Sequence, residues 1–118
     1  MSDKTESLRI YVDTFNLFSY FYKVLRSVPR ELRFTLGENG ITLLYESIGL
    51  IRIANNDFAK RDNTLKELID KLNSLKVIVR FFGENEIIKQ KKATFIMLSI
   101  ENICKQANSW RKSFKNKN

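Results

Sequence analysis

Histidine is absent from this 118-residue chain, cysteine and proline occur once each, and glycine occurs four times. Each scarcity removes something. Without an imidazole there is no hydrolytic triad of the usual kind, no histidine acid/base pair and no histidine-ligated metal. One cysteine, Cys104, can form neither an intrachain disulfide nor a thiolate metal cluster. On a helix it reads as a small packed residue. So little glycine and proline leaves too few turn signals for an all-β sandwich and suits a few long helices with short connections. The stretch "LGENG" lacks the Lys and Ser/Thr of a phosphate-binding loop, and the Glu-x-x-His motifs of di-iron bundles are missing. No apolar run of about 18 residues exists to span a bilayer, and "MSDKTESLRI" has no apolar signal core. The expectation is a cytoplasmic protein that is not an enzyme and takes no cofactor and no metal.

What is present is apolar surface and positive charge. Hydrophobic residues make up 43% of the chain, enough for a folded core, and the length is that of one domain, residues 1–118. The 21 Lys and Arg exceed the 13 Asp and Glu, a net charge of +8. From Lys89 onward there are eight basic residues and one acid, Glu101, so this segment carries +7 of that charge. A concentrated positive field attracts polyanions.

The apolar pattern is helical. Leu8, Tyr11, Phe15, Phe18, Tyr22 and Leu25 recur at alternating spacings of three and four, one helix face, with Tyr20 and Phe21 beside it. So many rings on one face are expected in the core. Pro29 then forces a corner, ending the first helix near Ser27 and starting the second near Pro29 or Arg30, with Glu31 suited to its first turn. The second helix has two apolar rows: Phe34, Gly37, Ile41, Leu44, Ile48 and Ile51, and Leu36, Gly40, Leu43, Ser47, Leu50 and Ala54. Between Phe34 and Ile51 its acids are Glu38 and Glu46, and it has no base. It is expected to be the most buried helix, partly against another subunit, with its glycines allowing close approach.

The stretch "ANNDFAKRDNT" supplies turn and N-cap chemistry. A third helix follows with the seam Leu65, Leu68, Ile69, Leu72, Leu75, Val79 and Phe82. Its charges interleave four apart as Asp62–Lys66, Lys66–Asp70 and Glu67–Lys71. Gly83 is expected as its C-cap. The fourth helix has the seam Ile96, Ile100, Ile103, Ala107, Trp110 and Phe114, widened by Phe95 and Leu98. The reading is all-α: an up-down-up-down four-helix bundle with helices over about 6–27, 29–55, 62–83 and 86–114 and a basic C-terminal end.

Particular residues go further. Pro29-Arg30, then Arg33-Phe34-Thr35-Leu36-Gly37, a leucine/isoleucine helix ending in Ala54-Asn55, the stretch "KVIVRFF" from Lys76 to Phe82, and Trp110 followed by Arg111 come in one order. In that order they resemble the accessory variability protein, Avd, of diversity-generating retroelements. Where that family has Gly-Gly before the tryptophan, this chain has Asn108 and Ser109. The related four-helix proteins of 23S rRNA intervening sequences share the corner and the fold. Their second helix carries a Pro-Ser-Asn-Ile-Ala-Glu-Gly stretch, where this chain has "YESIGLIRIAN". The resemblance implies a non-catalytic homopentamer, a short barrel that binds the element's reverse transcriptase and RNA or DNA without strong sequence preference, in support of mutagenic cDNA synthesis. It has no membrane partner. Candidate contacts are Lys76 and Arg80 on the third helix, expected to reach solvent with Glu84 near Arg80, Lys89, Lys91 and Lys92 opening the fourth, and Arg111, Lys112 and Lys115 after the tryptophan. A helical adaptor that binds a partner helix is the alternative from a different class.

Overall fold

A computed structural model of the chain describes the backbone of residues 2–116 and the side chains of residues 8–113. Four helices run along a body of 48 × 22 × 19 Å. Helix α1 is Ser2–Val24, tightened into a 3-10 turn at Leu25–Ser27. Helix α2 is built in three consecutive pieces: one α-turn at Arg30–Leu32, a π-helical stretch at Arg33–Gly37, and a regular helix at Glu38–Asn56. Helix α3 is Arg61–Glu84 and helix α4 is Gln90–Asn116. Helix α1 packs on α2 and α4, and α3 packs on the same two, so α1 and α3 stand diagonally across the bundle.

Pro29 makes the corner from the position just before α2, in an extended conformation, and its carbonyl accepts the first helical bond, from the N–H of Arg33. The Arg33 guanidinium donates back to the Val28 carbonyl at 3.1 and 3.3 Å, which ties the two arms of the corner together. The π-helical stretch coincides with Arg33-Phe34-Thr35-Leu36-Gly37. One wider turn here rotates the rest of α2 relative to its start.

The core is continuous from Ile10 and Leu17 on α1 through Leu44 and Ile51 on α2 and the leucines of α3 to Ile96, Ile100 and Trp110 on α4. The α3 seam is as expected, with Ile69 only half-buried, and so is the α4 seam from Ile96 to Trp110. The Phe114 side chain lies outside the described residues. On α1 most of the expected face is wrong. The buried row is Ile10, Thr14, Leu17, Phe21 and Val24, while Leu8, Tyr11, Phe15 and Tyr22 are exposed; of the expected row Leu25 is buried and Phe18 half-buried. The row was misjudged because both rows repeat at three and four. The bundle admits the slimmer one, with Phe21 as its single ring. Phe34 on α2 and Phe95 and Leu98 on α4 are likewise exposed rather than part of the core.

Two glycines explain the close approach. A Cβ on Gly40 would lie 2.6 Å from the buried Phe21 ring, and one on Gly37 would lie 2.9 Å from Leu25. Gly83 is not the expected C-cap: it lies inside α3, where its missing Cβ would sit 3.0 Å from Ala93 of α4. The left-handed residue of that connection is Glu86, with φ of 56°. This turn delays α4, which begins at Gln90 rather than near 86.

These environments separate two chemically identical substitutions. Gly40→Ala forces a methyl into the Phe21 ring and is expected to cost about 1–3 kcal/mol in urea unfolding. Gly49 has nothing within 4 Å of its would-be Cβ, so Gly49→Ala is expected to stabilise by about 0.5–1 kcal/mol through helix propensity.

Candidate nucleic-acid and protein interface

The basic residues expected to act together are distributed over the two ends of α4 and the C-terminal part of α3. Lys89 lies just ahead of the helix, its carbonyl accepting the N–H groups of Lys92 and Ala93, and Lys91 and Lys92 occupy the first turn. Cations there oppose the helix dipole, so the helix itself gains nothing from them. Arg111 and Lys112 are near the other end, about 30 Å away at the helical rise. The Lys115 side chain lies outside the described residues.

Lys76 does not reach solvent as freely as its spacing implied. It is half-buried at the α3–α4 seam, with Nζ 3.8 Å from a Glu101 carboxylate oxygen, a looser pairing than the one Arg80 makes. Arg80 is exposed and pairs with Glu84 at 2.8 Å, as expected; that hydrogen bond and charge raise its pKa above the ordinary arginine value. Of the interleaved α3 pairs, Lys66 meets Asp62 at 3.5 Å, whereas Lys71 reaches across to Glu46 of α2 at 3.0 Å. Beside Lys76, Cys104 is half-buried. Burial pushes its thiol pKa up, the Lys76 charge opposes that and Glu101 adds to it, so the thiol stays protonated at neutral pH.

Arg111 is mostly buried and bound to Asp62, its Nε donating at 2.9 Å. Its Nη1 also donates to Asn108 Oδ1 at 3.1 Å, which gives the residue standing in place of a glycine a definite partner. Next to Asp62 is the residue that sequence reasoning missed. Arg61 is 5% exposed, its Nε donates to the Ala54 carbonyl at 2.7 Å, and its guanidinium lies 5.3 Å over the rings of both Phe58 and Trp110. The Trp110 ring is fully buried, and its N–H meets no acceptor among the described residues. Packing and the cation over its face hold it. In the sequence, Arg61 sat in a polar turn and carried no periodicity that could have marked it.

The misplaced aromatic row is itself a surface. Tyr11, Phe15 and Phe18 follow one another with ring centroids 6.3 and 6.4 Å apart, and Phe18 leads to Tyr45 of α2 at 6.5 Å. Tyr22 is 58% and Tyr45 69% exposed. These rings form one aromatic stripe across α1 and α2. Diagonally opposite, α3 exposes Val77 and Phe81 on its outer side.

The described residues thus form a basic four-helix bundle with exposed apolar corners. The family model described as bAvd-like matches residues 10–114, and the chain belongs to that family. No curated protein and no solved structure matches it.

Arg61→Ala should be the most damaging single change at this end of the bundle. It leaves the Ala54 carbonyl without its donor and opens a cavity against Trp110, for an expected loss of about 3 kcal/mol. Arg61→Lys should recover little, since an ammonium cannot both fork and stack. Chemical unfolding followed by the fluorescence of the single tryptophan measures both.

Proposed function

We propose that this protein is a non-catalytic accessory subunit of a diversity-generating retroelement. In this reading it forms a homopentamer that holds the element's reverse transcriptase and nucleic acid during mutagenic copying of template RNA into cDNA. Membership of the bAvd-like family carries the reading. The charge of +8 per chain supports it, because five copies on one ring make a strong polyanion attractor.

The apolar corners support the assembly. A closed ring of odd order uses heterologous contacts, so each protomer needs two dissimilar faces that fit each other. The aromatic stripe of α1 and α2 is one, and the Val77–Phe81 side of α3 is the other. Their diagonal placement lets a protomer touch two neighbours at once. The second helix, expected to lie partly against another subunit, contributes Tyr45 to this stripe in the present reading. Leu44, Leu50 and Ile51 are already buried within the chain.

Light scattering at micromolar concentration should give about five times the 13.9 kDa chain mass, and a value near one chain would sink the assembly. Tyr22→Glu with Tyr45→Glu should release helical monomers, because each carboxylate would be desolvated unpaired in the contact. Nucleic-acid affinity should fall linearly with salt on logarithmic axes, with little dependence on sequence. Replacing Lys89, Lys91 and Lys92 together with Glu should abolish capture of the cognate reverse transcriptase, nucleic acid, or both, while helicity is retained. Full retention of both would remove this cluster from the interface.

A further inference from the structure

Between α1 and α4 runs a groove that neither the apolar corners nor the expected basic clusters occupy. It consists of two adjoining cavities that share Asn102. One, of about 470 Å³, is bordered by Asp13, Asn16, Tyr20, Lys23 and Phe95. The other, of about 320 Å³, is bordered by Arg9, Lys105, Gln106 and Ser109. From Phe95 to Ser109 the groove follows α4 for roughly 20 Å.

Its chemistry changes along its length. Arg9 and Lys105 face each other across one end, and Lys23 stands at the other. Amides and hydroxyls line the middle. Phe95 is 51% exposed and leans on Tyr20 with ring centroids 4.7 Å apart and planes tilted by 58°, so the ring is braced on one side and still open to solvent. Asp13 is the acid in this lining. Its carboxylate accepts Gln106 Nε2 at 2.6 Å and Asn102 Nδ2 at 3.4 Å. It repels a phosphate from the middle of the groove and suits the amino groups of bases or a ribose hydroxyl. A partner helix would need an exposed apolar seam here; beside the Tyr20–Phe95 pair the lining offers Leu17 and Ile103, both already buried, among polar groups. Separated cations with a supported open ring between polar edges fit a strand whose phosphates and unstacked bases alternate. A duplex keeps its bases stacked inside and cannot offer one to Phe95.

We propose that the α1–α4 groove binds a single nucleic-acid strand, with phosphates at Arg9, Lys105 and Lys23 and a base stacked on Phe95. This rests on the nucleic-acid binding proposed above and gives it a place and a strand form.

The test is fluorescence anisotropy of the full chain at low salt. The probes are labelled oligouridylate and oligothymidylate of about 20 nucleotides and a duplex of the same length, with circular dichroism melts of every variant. Arg9→Glu with Lys105→Glu is expected to weaken single-strand binding about tenfold or more. Phe95→Ala should weaken it about fivefold or more and leave duplex binding unchanged, and Phe95→Trp should restore it. Asp13→Asn should strengthen binding, a gain that loss of folding cannot mimic. If the wild type binds and the Arg9/Lys105 and Phe95 variants match it within about twofold, the groove is overturned while nucleic-acid binding stands. If Phe95→Ala weakens strand and duplex alike, stacking of a single strand is overturned. Absence of wild-type binding to any probe overturns both this proposal and the nucleic-acid part of the function.

Discussion

A single buried guanidinium closes one end of this bundle. Arg61 opens α3, yet its side chain serves the other helices. It donates to Ala54, whose carbonyl is left over at the end of α2, and it covers the Trp110 ring of α4. Its neighbour Asp62 binds Arg111 of α4. Two consecutive residues of opposite charge thereby tie three helices at one level, and neither charge is buried without a partner, the condition under which a buried charge is tolerated. The resemblance in sequence rested on Ala54-Asn55 and on Trp110-Arg111 as separate pieces more than fifty residues apart. In space they meet at Arg61 and Asp62. They look like independent motifs only because the residues that join them lie at the start of α3, outside either piece.

The opposite end is held differently. There the Pro29 corner is fastened by Arg33, and the helices come close because Gly37, Gly40 and Gly83 lack side chains. The π-helical stretch falls between these contacts. It lets Phe34 point outward, 57% exposed under the Arg30 guanidinium, while Gly37 and Gly40 turn inward. A regular α-helix continued from Arg30 would carry a different row of α2 toward Phe21.

How much of this was legible in the sequence depended on contrast between rows. Helix α4 has one aliphatic row ending in a tryptophan, so its buried side was plain from Ile96 to Trp110, although Phe95 and Leu98 beside it were wrongly added to it. So was that of α3. Helix α1 has two competing rows, and its true core row contains Thr14, fully buried, while the larger rings stand outside. Periodicity identifies a helix but does not rank two apolar rows. That choice is made by the width of the space opposite, here set by Gly40. The charge pattern was legible as a sum but not as a surface. Counting along the chain joined Lys89 to Arg111, which α4 places at opposite ends, and it missed that Glu101 and Asp62 neutralise Lys76 and Arg111.

In the proposed ring, the apolar residues left exposed on the surface would divide it among neighbouring subunits. The aromatic row of α1, with Tyr45 of α2, and Val77 and Phe81 of α3 stand at diagonal corners. With those corners on neighbouring subunits, the α4 corner would face away from the contacts. On α4 that corner presents Lys91, Lys105 and Lys112, all exposed. Ring closure would repeat this corner at fixed intervals, so its cations would act on a polyanion at a shared effective concentration. Lys105 lies on this corner and also borders the α1–α4 groove, so the two adjoin within each chain. Assembly through apolar residues would in this way concentrate the +8 of each chain without removing any of these lysines from solvent.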